Sequence, residues 1–408
     1  MKLLKYSPLA ILLCCTTGAQ QITIRAGTLL DGKGSLTRNT TVVIEGSKIV
    51  KLDPSVKNAT YDFSNLTVMP GWIETHAHLA SHFDRETGRA QAGKNETPQQ
   101  AMLYTAENAY AVLMAGFTTV QSPGAPIDKD LRDFINTGPL PGPRILTSLG
   151  SIHNGTPEEI RARVHTFVAD GADFIKFFAT NSIREGGTQT MSYEQLEAGC
   201  GEAKAMGKRS IVHAQGPEGA KAAVLAGCTA IEHGNRLTDE VLDLMVAHGT
   251  YFDSNNGLLI HNYIEMKPHY FGIGNYNEEG YAFMEKGLPV GADSLRRAIA
   301  KGVKIVFGTD ATAGALGRDY EEFIYRVKDS GQGTMAAMVA AQYTSAESLS
   351  LQDQIGSIAP GMQADIIATD GSPIDDITNV RRVVFVMRGG KVFKNVKLPP
   401  ASATKGTN

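Results

Sequence analysis

Leu66-Thr67-Val68-Met69-Pro70-Gly71-Trp72-Ile73-Glu74-Thr75-His76-Ala77-His78 is an apolar run that ends in two histidines one residue apart. In an extended chain alternate side chains share a face, so residues i and i+2 can hold one metal ion together. Imidazole is a favoured ligand for zinc and its divalent neighbours. On its own, a His-x-His at a strand end is also a common incidental pair, and its meaning depends on what the rest of the chain brings to it.

Downstream of this stretch a short apolar run and a longer segment of helical spacing alternate about eight times. The runs read as strands are 68–75, 118–120, 144–148, 174–178, 210–213, 230–233, 250–253 and 304–308, with helices such as 193–206 and 218–226 between them. Continuous apolar strands joined by helices predict a parallel sheet covered on both faces. Eight such units in one domain predict a closed (β/α)8 barrel. No Gly-x-Gly-x-x-Gly follows the first strand, which argues against a dinucleotide-binding sheet.

The flanks have a different texture. Ile22-Thr23-Ile24-Arg25-Ala26-Gly27 and Val42-Val43-Ile44-Glu45-Gly46 are short β-branched runs broken by turn residues, and the same pattern returns in 364–368 and 383–393. They predict a small β domain assembled from both ends of the chain. The division expected is 1–19 as a leader, 20–67 with 356–397 as the small β domain, 68–355 as the barrel, and 398–408 as a disordered tail rich in Pro, Ala, Ser and Thr.

Residues able to bind metal stand where the barrel strands end, and barrel enzymes place their active sites at the C-terminal ends of their strands. His76 and His78 end the first strand, Lys176 interrupts the fourth, His213 ends the fifth, His233 the sixth, and Asp310 follows the eighth. Each alone has an ordinary explanation, as a core histidine, a turn residue, a cap or a snorkelling lysine. Their joint placement predicts one shared pocket. Lys176 is the sharpest case, because an ammonium group within Phe174-Ile175-Lys176-Phe177-Phe178 is costly to bury, and burial favours the neutral amine.

On these residues the chain resembles metal-dependent hydrolases of the amidohydrolase superfamily. The matching pieces are 70–78, Gly171 to Lys176, Val212-His213-Ala214, Ile231-Glu232-His233-Gly234 and Gly308-Thr309-Asp310-Ala311. Ile355 to Gly361 with Ala364-Asp365 matches the return into the small sheet, so the resemblance covers nearly the whole chain after the leader. Glu74 departs from the aspartate found in many members. The Phe-Ile-Lys strand is similar to the branch of Xaa-Pro dipeptidases, related carboxypeptidases and ochratoxin-hydrolysing amidases. The resemblance implies a TIM barrel with a small β-sandwich domain and two divalent ions, zinc by expectation. His76, His78 and Asp310 would hold one ion, His213 and His233 the other, and Lys176, carboxylated by carbon dioxide, would bridge them. A bridging water acidified to hydroxide would attack an amide carbonyl, with Asp310 taking the proton. His153, beyond the third strand, stands where this branch often places a histidine over the tetrahedral oxyanion, although its flanking sequence departs from the usual glycine-rich form.

Substrate choice is expected in the loops after the strands, above all the long segment from Asn255 to Gly291 with Tyr263, Tyr270, Phe271, Tyr276, Tyr281 and Phe283. These rings suit an aromatic or apolar group, and they equally suit packing of the segment onto the barrel. Arg85, Arg184 and Arg318 are the candidates for a substrate carboxylate, and Tyr263 is a further candidate contact.

Composition bounds the rest. A length of 408 residues, 42% apolar and 20% charged, can bury a large core, and a net charge of −3 without a dense basic block argues against nucleic acid and anionic lipid as partners. A small amide or dipeptide is the expected partner, and a homo-oligomer stays open. Lys2 and Lys5, the apolar stretch from Leu9 to Cys15 and Thr17-Gly18-Ala19 read as a cleaved export signal, too short to span a bilayer. Its removal leaves Cys200 and Cys228, too few for a disulfide framework, so the core is expected to carry stability. The expected activity is therefore binuclear amide hydrolysis releasing a C-terminal amino acid, with substrates that include aromatic N-acyl amino acids of the ochratoxin type. The alternatives are a mononuclear cyclic amidase or deaminase resembling imidazolonepropionase, and a non-catalytic homologue.

Overall fold

Eight parallel strands lie where the apolar runs predict them: Trp72–Glu74, Phe117–Ser122, Arg144–Thr147, Phe174–Phe178, Arg209–Ala214, Ala230–His233, Tyr251–Asp253 and Lys304–Ile305. The computed structural model describes residues 21–90 and 96–396, so the expected leader at 1–19 and tail at 398–408 lie outside the described residues. The barrel closes at two seams. Thr75 N–H donates to Phe307 O at 2.9 Å between the first and eighth strands, and Asp173 N–H donates to Thr147 O at 2.8 Å between the third and fourth. A two-residue piece, Ser151–Ile152, continues the third strand after the left-handed residue Leu149 and pairs with Lys176 and Phe177.

Intervening helices begin where their sequences supply caps. Thr97 with Gln100, Thr156 with Glu159 and Ser192 with Gln195 each form a reciprocal capping box, which satisfies two otherwise orphaned N–H groups per helix. Around the first and last strands the core is aromatic: Trp72, Phe117, Phe307 and Phe323 are fully buried, with ring centroids 4.0 to 6.5 Å apart. Each contributes about 1.5–3 kcal/mol from burial.

A seven-stranded sheet forms the small β-sandwich domain. Its chain order pairs Lys391–Asn395, Val383–Arg388 and Ile366–Thr369 from the C-terminal part with Tyr61–Pro70, Gln21–Leu30, Leu36–Glu45 and Lys48–Leu52 from the N-terminal part. The two parts meet where Thr67 to Pro70 run antiparallel to Ile366 to Thr369.

Three expectations change. The run 68–75 is two strands: Val68 to Pro70 belong to the small sheet, and the barrel begins at Trp72. Gly71 marks the break, because a Cβ there would lie 2.2 Å from Thr118 Oγ1. The segment after Asn255 is helical, in Gly257–Glu265, Lys267–Tyr270 and a 24-residue helix Glu278–Lys301 that passes through Pro289. Gly280, Gly287 and Gly291 share one face of this helix. A Cβ on them would strike Asn275 O, Ile183 Cδ1 and the Asn256 and Asn235 side chains at 2.2 to 2.5 Å. They permit close packing. Lastly, Cys200 and Cys228 are bonded to each other and buried, so the core does not carry stability alone.

Candidate metal centre

The predicted ligands meet at the C-terminal mouth of the barrel. His76 and His78 stand just past the first strand, in a segment held by a bridge between Ala77 and Ala311 and by His78 N–H donating to Ala311 O at 2.8 Å. Asp310 follows the eighth strand in a left-handed conformation (φ 53°), and its N–H donates to His76 O at 2.6 Å, which locks the two ends together. His233 is also left-handed (φ 73°) at the end of the sixth strand. Asn255 Oδ1 accepts its N–H at 3.0 Å, and Asn256 Nδ2 donates to its carbonyl at 3.3 Å.

Donor atoms of His76, His233 and Asp310 all lie within 4.8 Å of one another. Asp310 Oδ1 is 2.9 Å from His78 Nε2 and 3.4 Å from His76 Nε2, and Asp310 Oδ2 is 4.0 Å from His233 Nδ1. The His213 and His233 rings are 4.4 Å apart. Among the described residues Lys176, only 1% exposed, has no hydrogen-bond partner for Nζ, and His233 Nδ1 has none either. Buried nitrogens without partners, gathered beside a carboxylate, are the donor set that a divalent cation requires. These residues therefore fit one.

Electrostatics point the same way. Burial favours the neutral form of His76, His213 and His233, with Lys176 or the neighbouring histidines adding to the effect, and His213 falls to about 3. Burial also lowers Lys176, against the pull of Glu232, Asp310 and Asp253. Asp310 moves the other way: burial would raise it, but its interactions with the His76 imidazole and its hydrogen bond from His78 hold it well below the usual carboxylate range.

A ring of acids supports the centre, and the sequence reading missed most of it. His76 Nδ1–H donates to Glu232 Oε2 at 2.6 Å, which directs the Nε2 lone pair toward Asp310. Burial raises Glu232 to about 7. Glu74 Oε1 accepts from the N–H groups of His76 and Thr309, both at 2.9 Å, and so ties the first strand to the eighth. Asp253 accepts from Thr75 Oγ1 and pairs with Arg326 at 3.1 Å; Arg326 in turn reaches Glu322, Val306 O and Gly308 O. Glu232 carried a readable signal, since it interrupts an apolar strand in the way Lys176 does.

Other predicted residues divide. Tyr263, Tyr270 and Tyr276 line a cavity of about 380 Å³ together with His78, His82 and Asp128. His153 is exposed, 2.8 Å from Ser151 Oγ, and its ring stacks on Phe178 at 4.3 Å; Phe178 stacks on His213 at 4.7 Å. Two expectations for the substrate carboxylate are corrected. Arg85 is 74% exposed over Tyr104, 3.5 Å from Glu107, in a separate depression. Arg318 is held by Glu265 at 2.8 Å and Glu321 at 3.0 Å, away from the tyrosines. A larger cavity of about 570 Å³ opens between the helices Gly257–Glu265, Glu278–Lys301 and Glu321–Ser330, and none of the predicted ligands lines it.

Residues 67–393 match the model of the amidohydrolase family. The chain belongs to this family. This amidohydrolase is 25% identical to ochratoxinase from Aspergillus niger over 443 aligned positions, which cover 96% of this chain and 90% of that protein. It also resembles the crystal structure of a Xaa-Pro dipeptidase with bound methionine in its active site, at a TM-score of 0.83 and 30% identity over 92% of this chain and all of that one. The structure of the A. niger ochratoxinase shares the fold, with a TM-score of 0.80 at 24% identity over 93% and 96% of the two chains. The amidohydrolase is accordingly a hydrolase acting on amide bonds.

Proposed function

We propose that the protein is an exported, binuclear amidohydrolase that cleaves the amide bond preceding a C-terminal amino acid, in dipeptides or N-acyl amino acids. The observation that carries this reading is the convergence of His76, His233 and Asp310 beside an unpartnered, buried Lys176 amine. His76, His78 and Asp310 would hold one divalent ion and His213 and His233 the other, with Lys176, as its carbamate, shared between them. Such ions, zinc first among them, polarise an amide carbonyl and make a water nucleophilic near neutral pH when bound.

The chain's own groups supply the rest. Asp310, kept ionised by the imidazoles around it, accepts the proton of the attacking water. Glu232 fixes the His76 tautomer. His153 reaches the mouth of the site over the Phe178 ring and is the donor for the developing oxyanion. The tyrosine wall suits an aromatic or apolar substrate group, in keeping with relatives named as an ochratoxinase and a Xaa-Pro dipeptidase. The Cys200–Cys228 bond supports an oxidising compartment and hence export.

Metal analysis joined to a hydrolysis screen of dipeptides and N-acyl amino acids tests the reading. Wild type is expected to carry two ions per chain and to release the C-terminal amino acid. Lys176→Ala is expected to keep its circular dichroism, lose bound metal and lose turnover by more than about 1000-fold. A single ion in the active wild type would favour the mononuclear reading, and full turnover by the variant would remove the bridging role of Lys176.

A further inference from the structure

Of the three arginines offered by the sequence for a substrate carboxylate, two are engaged by acids of this chain and the third is not. Arg184 lies in the turn Ile183–Glu185 after the fourth barrel strand, half-buried, its guanidinium 4.0 Å from the Tyr276 ring centroid and 5.5 Å from that of Tyr263. Its Nε donates to Asn275 Oδ1 at 2.6 Å. Among the described residues no acid pairs with it, and neither terminal nitrogen has a hydrogen-bond partner. Ring faces and one amide hold the planar fork in place while leaving its two outer nitrogens to bind.

Tyr263 connects this cation to the centre. It lines the cavity that contains His78, and its ring meets Tyr270 at 4.9 Å and Tyr276 at 5.0 Å. Tyr276, whose ring also carries the Arg184 guanidinium, lines the same cavity. Burial keeps the phenols of Tyr263 and Tyr276 protonated, so that they do not repel an anion. The corner thus offers a preoriented guanidinium fork and neutral O–H groups, the chemistry that recognises a carboxylate in two-point fashion.

We infer that Arg184, backed by Tyr263 and Tyr276, anchors the α-carboxylate of the substrate's C-terminal residue and makes a free carboxylate the requirement for turnover. The inference rests on the amide-hydrolysing reading above and adds to it the group by which substrates are selected. A stacked, half-fixed arginine loses little freedom on binding, so the discrimination should be strong.

The test uses zinc-loaded enzyme with glycyl-L-phenylalanine and N-benzoyl-L-phenylalanine, each against its C-terminal carboxamide. Wild type is expected to favour the acids by about 100-fold in kcat/KM. Arg184→Met should raise KM for the acids by about 100-fold with kcat little changed, leave the carboxamides unaffected, and be partly rescued by Arg184→Lys. Arg85→Met should match wild type throughout. Equal loss on acid and carboxamide at unchanged metal content, or a wild type indifferent to the carboxylate, would overturn the role of Arg184 while leaving amide hydrolysis intact. If wild type cleaves none of the four compounds, the functional reading is what fails. Calorimetric titration with L-phenylalanine and L-phenylalaninamide then decides the anchor separately: weaker binding of the acid alone in Arg184→Met supports it, and unchanged binding refutes it.

Discussion

The cluster at the strand ends and the helical segment that covers it were made legible to very different degrees by the same chain. In the first region the functional groups are polar residues inside or at the ends of apolar strands, as with Lys176 in Phe174–Phe178 and His233 in Ala230–His233. Burying such a group is expensive, so its presence in that position demands a reason. In the second region, from Asn255 to Lys301, Gly280, Gly287 and Gly291 serve close packing within a helix that also passes through Pro289, where a loop was expected. Polar residues at buried positions announce themselves, whereas small residues are ambiguous until their neighbours are known.

The sharpest way to break this contrast is Asp310→Asn, which keeps the shape of the first region and removes its charge. Turnover should fall by more than about 1000-fold with the circular dichroism unchanged, and activity near wild type would show that the proton goes elsewhere. Next in size is Glu232→Gln. Loss of the charge opposite His76 Nδ1 should weaken metal retention by about 10–100-fold in a chelator competition. Retention equal to wild type would reduce that 2.6 Å contact to packing. The smallest effect concerns stability. The Cys200–Cys228 bond closes a 28-residue separation that includes the fifth barrel strand, so Cys200→Ser with Cys228→Ser should lower unfolding free energy by about 3–4 kcal/mol at most, read by chemical denaturation. Activity at low temperature should persist, and its loss would mean that the link positions His213 as well as stabilising the fold.

Most of the architecture was readable because continuous apolar strands alternating with helical spacing are local signals. All eight barrel strands sit on their predicted runs, and the remote residues His233 and Asp310 join His76 at one mouth. What escaped depended on pairing between distant parts of the chain. Nothing near Arg318 in sequence reveals that Glu265 will neutralise it, and nothing near Arg184 reveals that no acid among the described residues will. Glu74 is visible as a departure from the superfamily pattern, but the contact it makes with the Thr309 N–H across the barrel seam is not. The break at Gly71 likewise depends on how closely Thr118 approaches it from the second strand.

The glycine ridge on the Glu278–Lys301 helix has a practical corollary for anyone who would breed new specificities from this scaffold. A side chain added at Gly291 would collide with the Asn256 amide that holds the His233 carbonyl, so a change outside the catalytic mouth would be transmitted to an imidazole within it. Diversity introduced at Tyr276 and Asn275 avoids that lever, and a library that holds the three glycines constant should keep far more of its members alive.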